Sequence, residues 1–261
     1  MTERLDAALV RRGAARSRAQ AAQAVAEGRV RVDGIRAVKP AQRVAPDADL
    51  SVEDPDHYVA RSAHKLLAAL DGFAIDPAGR LALDLGASTG GFTQVLLERG
   101  AREVIALDVG HDQLVPELRA DPRVRVVEGV NARDLDPASL AAVAGTAEAP
   151  SLVVADLSFI PLAPVLPAIA AVAAARADVV VLVKPQFEVG RVRGGVVRDR
   201  AQRHGAVRAV AATAAESGLT AVGVLSSPIT GSAGNQEYLL HLARDVGGDR
   251  TEWGEALLGL P

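Results

Sequence analysis

From residue 81 the chain repeats one pattern: a short apolar run, a glycine or an ionisable residue near its end, then a helical stretch. The runs read LALDLG, VIALDVG, VRVVEG, SLVVAD, DVVVLVKP, TAVGVLSSP and EYLLHLA, with a helix expected over residues 201–217. Runs that are apolar on both alternating faces belong to strands covered on both sides. Strands alternating with helices predict an α/β fold, a doubly wound, mainly parallel, Rossmann-like sheet with right-handed crossovers. In such sheets a ligand sits outside the carboxyl ends of the strands.

The first fifty residues have a different texture. Residues 1–43 carry ten Lys/Arg and four acids, a charge of +6, whereas the remainder carries −9 of the total −3. A basic module on an acidic body suggests a polyanion-binding appendage. Its pattern is a helix ended near Gly13, a second helix after Ser17 ended by Gly28, and short strands around an Asp33-Gly34 turn. With arginines at the helix junction, this small α+β module resembles the S4-type RNA-binding domain. Residues 47–56 are acidic and hold Pro46 and Pro55 at their margins, which marks a boundary; residues 57–70 then read as a helix.

Several chemistries are excluded. There are no cysteines, and His57, His64, His111, His204 and His241 are scattered, so no metal is expected. The opening MTERLDAALVRRGAARSR has no apolar core of a secretory signal. The uncharged stretch between Asp156 and Arg176 contains Pro161, Pro164 and Pro167, so a loop and a sheet-covering helix are expected there, not a membrane span. A cytoplasmic location follows from these expectations.

The first strand ends in Asp84-Leu85-Gly86-Ala87-Ser88-Thr89-Gly90-Gly91-Phe92. Glycines here let the backbone approach a ligand, but Ser88 breaks the dinucleotide GxGxxG spacing. Asp108 closes the second strand 22 residues after Gly86, where an acid holds a ribose hydroxyl pair. Asp84 adds a negative charge that repels a pyrophosphate and suits a cation. Together these features point from NAD towards S-adenosylmethionine.

Asp156 and Lys184 close the fourth and fifth strands at the same edge. If the last strand runs antiparallel, Glu237 joins them there, and Lys65, on the helix leading into the sheet, is a fourth candidate. A ribose 2′-hydroxyl is a poor nucleophile that must lose its proton as it attacks a sulfonium methyl. A lysine can take that proton only where desolvation or a nearby cation favours its neutral form; acids act in the opposite direction. Two lysines and two acids could balance these effects and fix the orientation of one amine.

At this point the motifs RSAHKL, LDLGASTGGFT, VADLSFI, VLVKPQFEVGR and GNQEYLL stand in an order that resembles the TlyA family over nearly the whole chain. That family couples an S4-type domain to an FtsJ/RrmJ-like methyltransferase domain and is also described as haemolysin. The resemblance implies S-adenosylmethionine-dependent 2′-O-methylation of ribosomal RNA cytidines, with ribosomal RNA or ribosomal subunits as partner. It implies a catalytic tetrad of Lys65, Asp156, Lys184 and Glu237. It also implies cofactor contacts from Asp84, Gly86, Ala87, Ser88, Gly90, Gly91, Phe92 and Asp108, with Asn131 near the adenine. The corresponding division is an S4-like domain over 1–56, a linker over 57–64, a methyltransferase domain over 65–246 and a tail over 247–261.

RNA phosphates are expected to meet Arg4, Arg11, Arg12, Arg16, Arg18, Arg36 and Lys39. Arg191, Arg193 and Arg198 of the basic, glycine-rich stretch 188–203 are further candidates, on a mobile loop over the active edge. Phe159 and Phe187 read as core residues, with stacking on a flipped base as the alternative; Phe92 packs beneath the cofactor. Three other functions remain: a non-catalytic RNA-binding or ribosome-assembly factor, which needs no tetrad; an NAD-dependent oxidoreductase, which the loop spacing opposes; and a haemolysin, which lacks a credible span. Cofactor binding separates the first two from the methyltransferase.

Overall fold

A computed structural model describes residues 2–15, 17–26, 28–52, 57–190, 192, 194–231, 233–244 and 252–261. The chain divides into two compact units, Met1–His57 and Tyr58–Pro261. Arg16, Arg191 and Arg193 lie outside the described residues.

The first unit contains β1 (Glu3–Arg4), α1 (Leu5–Arg11), α2 (Arg18–Ala26), β2 (Val30–Val32), β3 (Ile35–Arg36), β4 (Arg43–Val44) and β5 (Leu50–Val52). Two small antiparallel sheets form, β1-β4 and β3-β2-β5, with Asp33 and Gly34 turning β2 into β3 as expected. Leu5, Leu9, Ala21, Val25 and Val30 fill its core. So few large apolar side chains make a small core, in keeping with a module of this length.

The second unit runs α3 (Ala63–Phe73), β6 (Leu81–Leu85), α4 (Gly91–Glu98), β7 (Glu103–Asp108), α5 (Pro116–Arg119), β8 (Val124–Glu128) and α6 (Pro137–Ala144). It continues with β9 (Leu152–Ala155), α7 (Leu166–Val172), β10 (Asp178–Val183), α8 (Pro185–Glu188), α9 (Arg200–Glu216), β11 (Thr220–Ser226), β12 (Tyr238–Ala243) and α10 (Glu252–Gly259). Its sheet has the order β11-β12-β10-β9-β6-β7-β8. The five strands from β8 to β10 pair in parallel; β12 runs antiparallel to both β10 and β11. Every residue of β6 and β9 is buried because helices cover both faces. Residues of α6, α7, α9 and α10 join one core, and residues of α3, α4 and α5 join the other. The α/β, doubly wound expectation therefore holds.

Local boundaries differ from the sequence reading. The helix read over 57–70 starts at Ala63, inside the stretch read as linker, and ends where Ala74 turns left-handed at φ 55°. Part of the stretch read as a tail is α10, which inserts fully buried Leu257 into the core beside Trp253. The alternation of apolar positions in EALLGL carried that signal, but the run was too short to separate from an exposed end.

The strand order reverses about β6, whose neighbours β7 and β9 lie on opposite sides. The crevice this opens at the carboxyl ends is the expected ligand position.

Candidate active site

The ends of three strands and the start of one helix supply the four side chains. Asp156 follows β9, Lys184 follows β10, and Lys65 sits in the first turn of α3. Antiparallel pairing sets Val183 opposite Tyr238, which brings Glu237 to the same edge as Lys184. The four side chains form a continuous ion-pair chain. Lys65 Nζ lies 2.6 Å from Glu237 Oε2 and 3.7 Å from Asp156 Oδ2; Lys184 Nζ lies 2.6 Å from Asp156 Oδ1. Lys65, Lys184 and Glu237 are buried and Asp156 nearly so. Burial makes each charge dependent on its partner, since removing one leaves another unpaired away from water.

Ser158 is a member that the sequence reading missed: its Oγ accepts a 2.7 Å hydrogen bond from Lys184 Nζ. Its only signal was its place two residues after Asp156 in VADLSFI. Glu188 is another, since its Oε1 accepts from Leu162 N at 3.0 Å and so ties the segment after Asp156 to the segment after Lys184. Burial raises the Glu188 carboxyl above its ordinary range. Asn235 was also missed. Its Oδ1 accepts from Val197 N at 2.9 Å and its Nδ2 donates to Gly195 O at 2.8 Å. Arg203 Nη1 donates to the carbonyls of Val197 and Arg198, so the described part of the stretch read as a mobile loop is held at several points.

Two adjoining cavities, of about 450 and 470 Å³, open at this edge. The first contains the tetrad together with Ala87, Phe92 and Phe187; the second contains Asp108, Gln113, Asn131 and Ile160. Gly86, Ser88, Asp156, Ser158 and Phe159 border both. An elongated ligand can therefore lie in the second cavity and present one end to the tetrad.

The loop between β6 and α4 is shaped for close approach. A side chain on Gly86 would meet Asp156 O at 3.0 Å, and Gly90, at φ 103°, would drive a Cβ to 2.3 Å from Leu118. The N–H groups of Gly86, Ala87, Ser88 and Gly90 are occupied. Gly86 N and Ala87 N both donate to Leu107 O, at 2.8 and 3.1 Å, and Gly90 N donates to Ala87 O. Ser88 N donates to Asp108 Oδ2 at 2.9 Å, and Thr93 N donates to Asp84. A phosphate-cradling loop does the reverse, aiming its N–H groups at the ligand. Asp108 also accepts from Gly110 N at 2.8 Å, so it joins two loops, and each carboxylate oxygen keeps a further lone pair for a hydroxyl. Asn131 lines the second cavity, but its Oδ1 is committed to Arg133 N at 3.1 Å, which leaves its amide N–H groups for a ligand.

Two expectations need correction. Asp84 was read as a charge facing the ligand. It is 0% exposed, borders neither cavity, and accepts from Thr93 Oγ1 at 2.7 Å. Burial, with Asp156 and Asp108 adding repulsion, raises its pKa to about 7 despite the Thr93 bonds. Its task is to anchor the start of α4 behind the glycine loop. Phe159 was read as core. It is 87% exposed, at φ 67°, with its ring 5.5 Å from that of Phe187 on the rim of the site. Strain at a non-glycine residue in this region costs on the order of 1 kcal/mol or more and is typical of functional loops. Phe92 is buried and lines the first cavity.

In the first unit the arginines are less uniform than their charge suggests. Arg4 and Arg18 both pair with Asp6, and Arg11 pairs with Glu3. Arg12 donates to the carbonyls of Ala48 and Pro46 at 2.6 and 2.7 Å, so it holds the chain between β4 and β5. Arg36 and Lys39 are exposed.

Comparison with known proteins gives this geometry a family. The FtsJ-like methyltransferase family matches residues 58–244, and the S4 domain matches residues 3–50. The chain is 54% identical over 244 residues to the 16S/23S rRNA (cytidine-2′-O)-methyltransferase TlyA of Mycobacterium tuberculosis, covering 92% of this chain and 89% of that one. It is 37% identical over 241 residues to Hemolysin A of Brachyspira hyodysenteriae, covering 91% and 98%. A solved structure from Streptococcus thermophilus, described as a hemolysin, superposes with a TM-score of 0.73 at 36% identity, covering 99% of this chain and 96% of that one. The chain belongs to the FtsJ-like methyltransferases and, among them, to the TlyA family.

Proposed function

We propose that this protein methylates the 2′-hydroxyl of cytidine in ribosomal RNA, using S-adenosylmethionine. The observation that carries this reading is the buried chain Glu237–Lys65–Asp156–Lys184 at the junction of two cavities. The relatives named for the same reaction support it.

The second cavity fits an adenosine: Asp108 can accept from the ribose hydroxyls and Asn131 can donate to the base. The occupied N–H groups of Gly86, Ala87, Ser88 and Gly90 suit a ligand without phosphates and oppose NAD. When bound, S-adenosylmethionine supplies an electrophilic sulfonium methyl. The first cavity receives the ribose. Lys65 is held by two carboxylates, whereas Lys184 shares one carboxylate and otherwise touches the Ser158 hydroxyl. Lys184 is therefore the less constrained lysine and the one assigned to receive the hydroxyl proton; Asp156 and Lys65 orient it. Placing the hydroxyl supplies much of the remaining rate.

Phe159 and Phe187 offer an aromatic surface at the mouth, suited to an unstacked base. Residues 1–43, which carry a charge of +6, grip RNA phosphates through Arg4, Arg18, Arg36 and Lys39, and Arg11 lies on the same unit. Arg12 is occupied by carbonyls and is assigned to the fold. This reading places the protein in the cytoplasm with its ribosomal substrate. Among the described residues no helix is long and apolar enough to cross a membrane.

Mapping ribose methylation on 16S and 23S RNA after incubation of unmethylated subunits with protein and S-adenosylmethionine tests the proposal. New 2′-O-methylcytidine that is absent with Lys184→Ala supports it; none with wild type refutes it.

A further inference from the structure

Asp6 is the one carboxylate of the first unit that its described structure buries, with a side chain 6% exposed. It receives Arg4 in a bidentate contact, Nε to Oδ1 at 3.0 Å and Nη2 to Oδ2 at 2.8 Å. Arg18 Nη2 reaches the same Oδ2 at 3.0 Å, and Ala7 N donates to Oδ1 at 2.9 Å. The Arg4 bond, with Arg18 second, holds the Asp6 carboxyl well below its usual range, so it stays ionised. The two guanidinium side chains remain 44% and 59% exposed. Solvent therefore meets two cations, drawn together from the start of α1 and the start of α2, while the anion that holds them is covered. These bonds use two donors of Arg4 and one of Arg18, and a guanidinium has five.

We propose that Asp6 is a positioning residue for RNA: it converges Arg4 and Arg18 into a preformed two-guanidinium clamp for a backbone phosphate. This rests on the reading that the first unit grips RNA. Long arginine side chains lose rotamer freedom when a phosphate fixes them, and Asp6 has already removed that freedom. Charge counting alone gives the opposite expectation, because removing an acid strengthens binding to a polyanion.

Filter binding of full-length protein to deproteinised 16S and 23S RNA, over a range of KCl, separates the two. Asp6→Asn raises the net charge by one yet should weaken binding by about tenfold, the effect of losing roughly one charge-assisted hydrogen bond. Its log–log salt slope should fall towards that of Arg4→Ala/Arg18→Ala. In the double-arginine background Asp6→Asn should have no further effect. Asp6→Glu keeps the charge and displaces the carboxylate, so weakening there cannot come from net charge, and it carries the test if Asp6→Asn fails to fold. Equal or tighter binding by Asp6→Asn overturns the proposal, as does an undiminished loss in the double-arginine background. Wild-type affinity in Arg4→Ala/Arg18→Ala overturns it too, and is the result that also removes this helix junction from RNA binding.

Discussion

Replacing Asp84 by Asn should make the protein's stability less dependent on pH, by an amount that follows from the burial of one carboxyl. The folded group titrates at about 7 against an ordinary 3.8. Because the folded pKa is the higher, the unfolded chain releases its proton first, and stability is lost as pH rises from about 4 to about 7. At 1.36 kcal/mol per unit the full loss is about 4 kcal/mol, of which about 2.6 kcal/mol falls between pH 5 and pH 8. Asn retains an acceptor for Thr93 Oγ1 and cannot ionise. Urea unfolding of both proteins at half-unit steps from pH 5 to 8 reads the difference, in which all other titrating groups cancel. The wild type should lose about 2–3 kcal/mol relative to the variant, or about 5–10 °C in Tm for a unit near 200 residues. Parallel stability curves would refute the argument that this carboxyl is ionised at a cost inside the fold.

The other predictions concern the site and the loop before it. Lys184→Ala and Asp156→Ala should abolish methyl transfer with a smaller effect on RNA affinity, and the double variant should be little worse than either, since the groups act as a unit; near-wild-type turnover in Lys184→Ala removes that lysine from the chemistry. Asp108→Ala should weaken S-adenosylmethionine binding by roughly 1.5–3 kcal/mol in calorimetry, because it loses a charged acceptor and the tie between two loops. Gly90→Ala should destabilise the protein by about 1–3 kcal/mol in urea melts, since it combines a left-handed φ with a clash against Leu118 and Leu114. Removing residues 1–57 should leave cofactor binding near wild type while RNA affinity falls steeply; equal methylation of ribosomal RNA by the 58–261 fragment would make the first unit dispensable.

The second unit's architecture was legible in sequence because a strand buried on both faces must be apolar almost throughout, as LVVA and VVVLV are. The crevice could be placed for the same reason, since the ends of those runs are where Asp156 and Lys184 interrupt them. Side-chain partnership was a different matter. Lys65 and Glu237 are 172 residues apart, and their 2.6 Å contact depends on β12 pairing antiparallel with β10 in one register. No local periodicity encodes that pairing, and resemblance to a family supplied it in advance. Burial was decided at the same level. Asp84 lies within an apolar strand and Phe159 in the loop after another, yet the fold hides the carboxyl and exposes the ring, because what covers a residue comes from elsewhere in the chain. The arginines of the first unit show the same division: sequence determined a charge of +6 over residues 1–43, and only tertiary structure decided that Arg12 binds carbonyls while Arg4 and Arg18 share one buried acid. Charge is additive along a chain, whereas a hydrogen-bond partner is chosen in three dimensions.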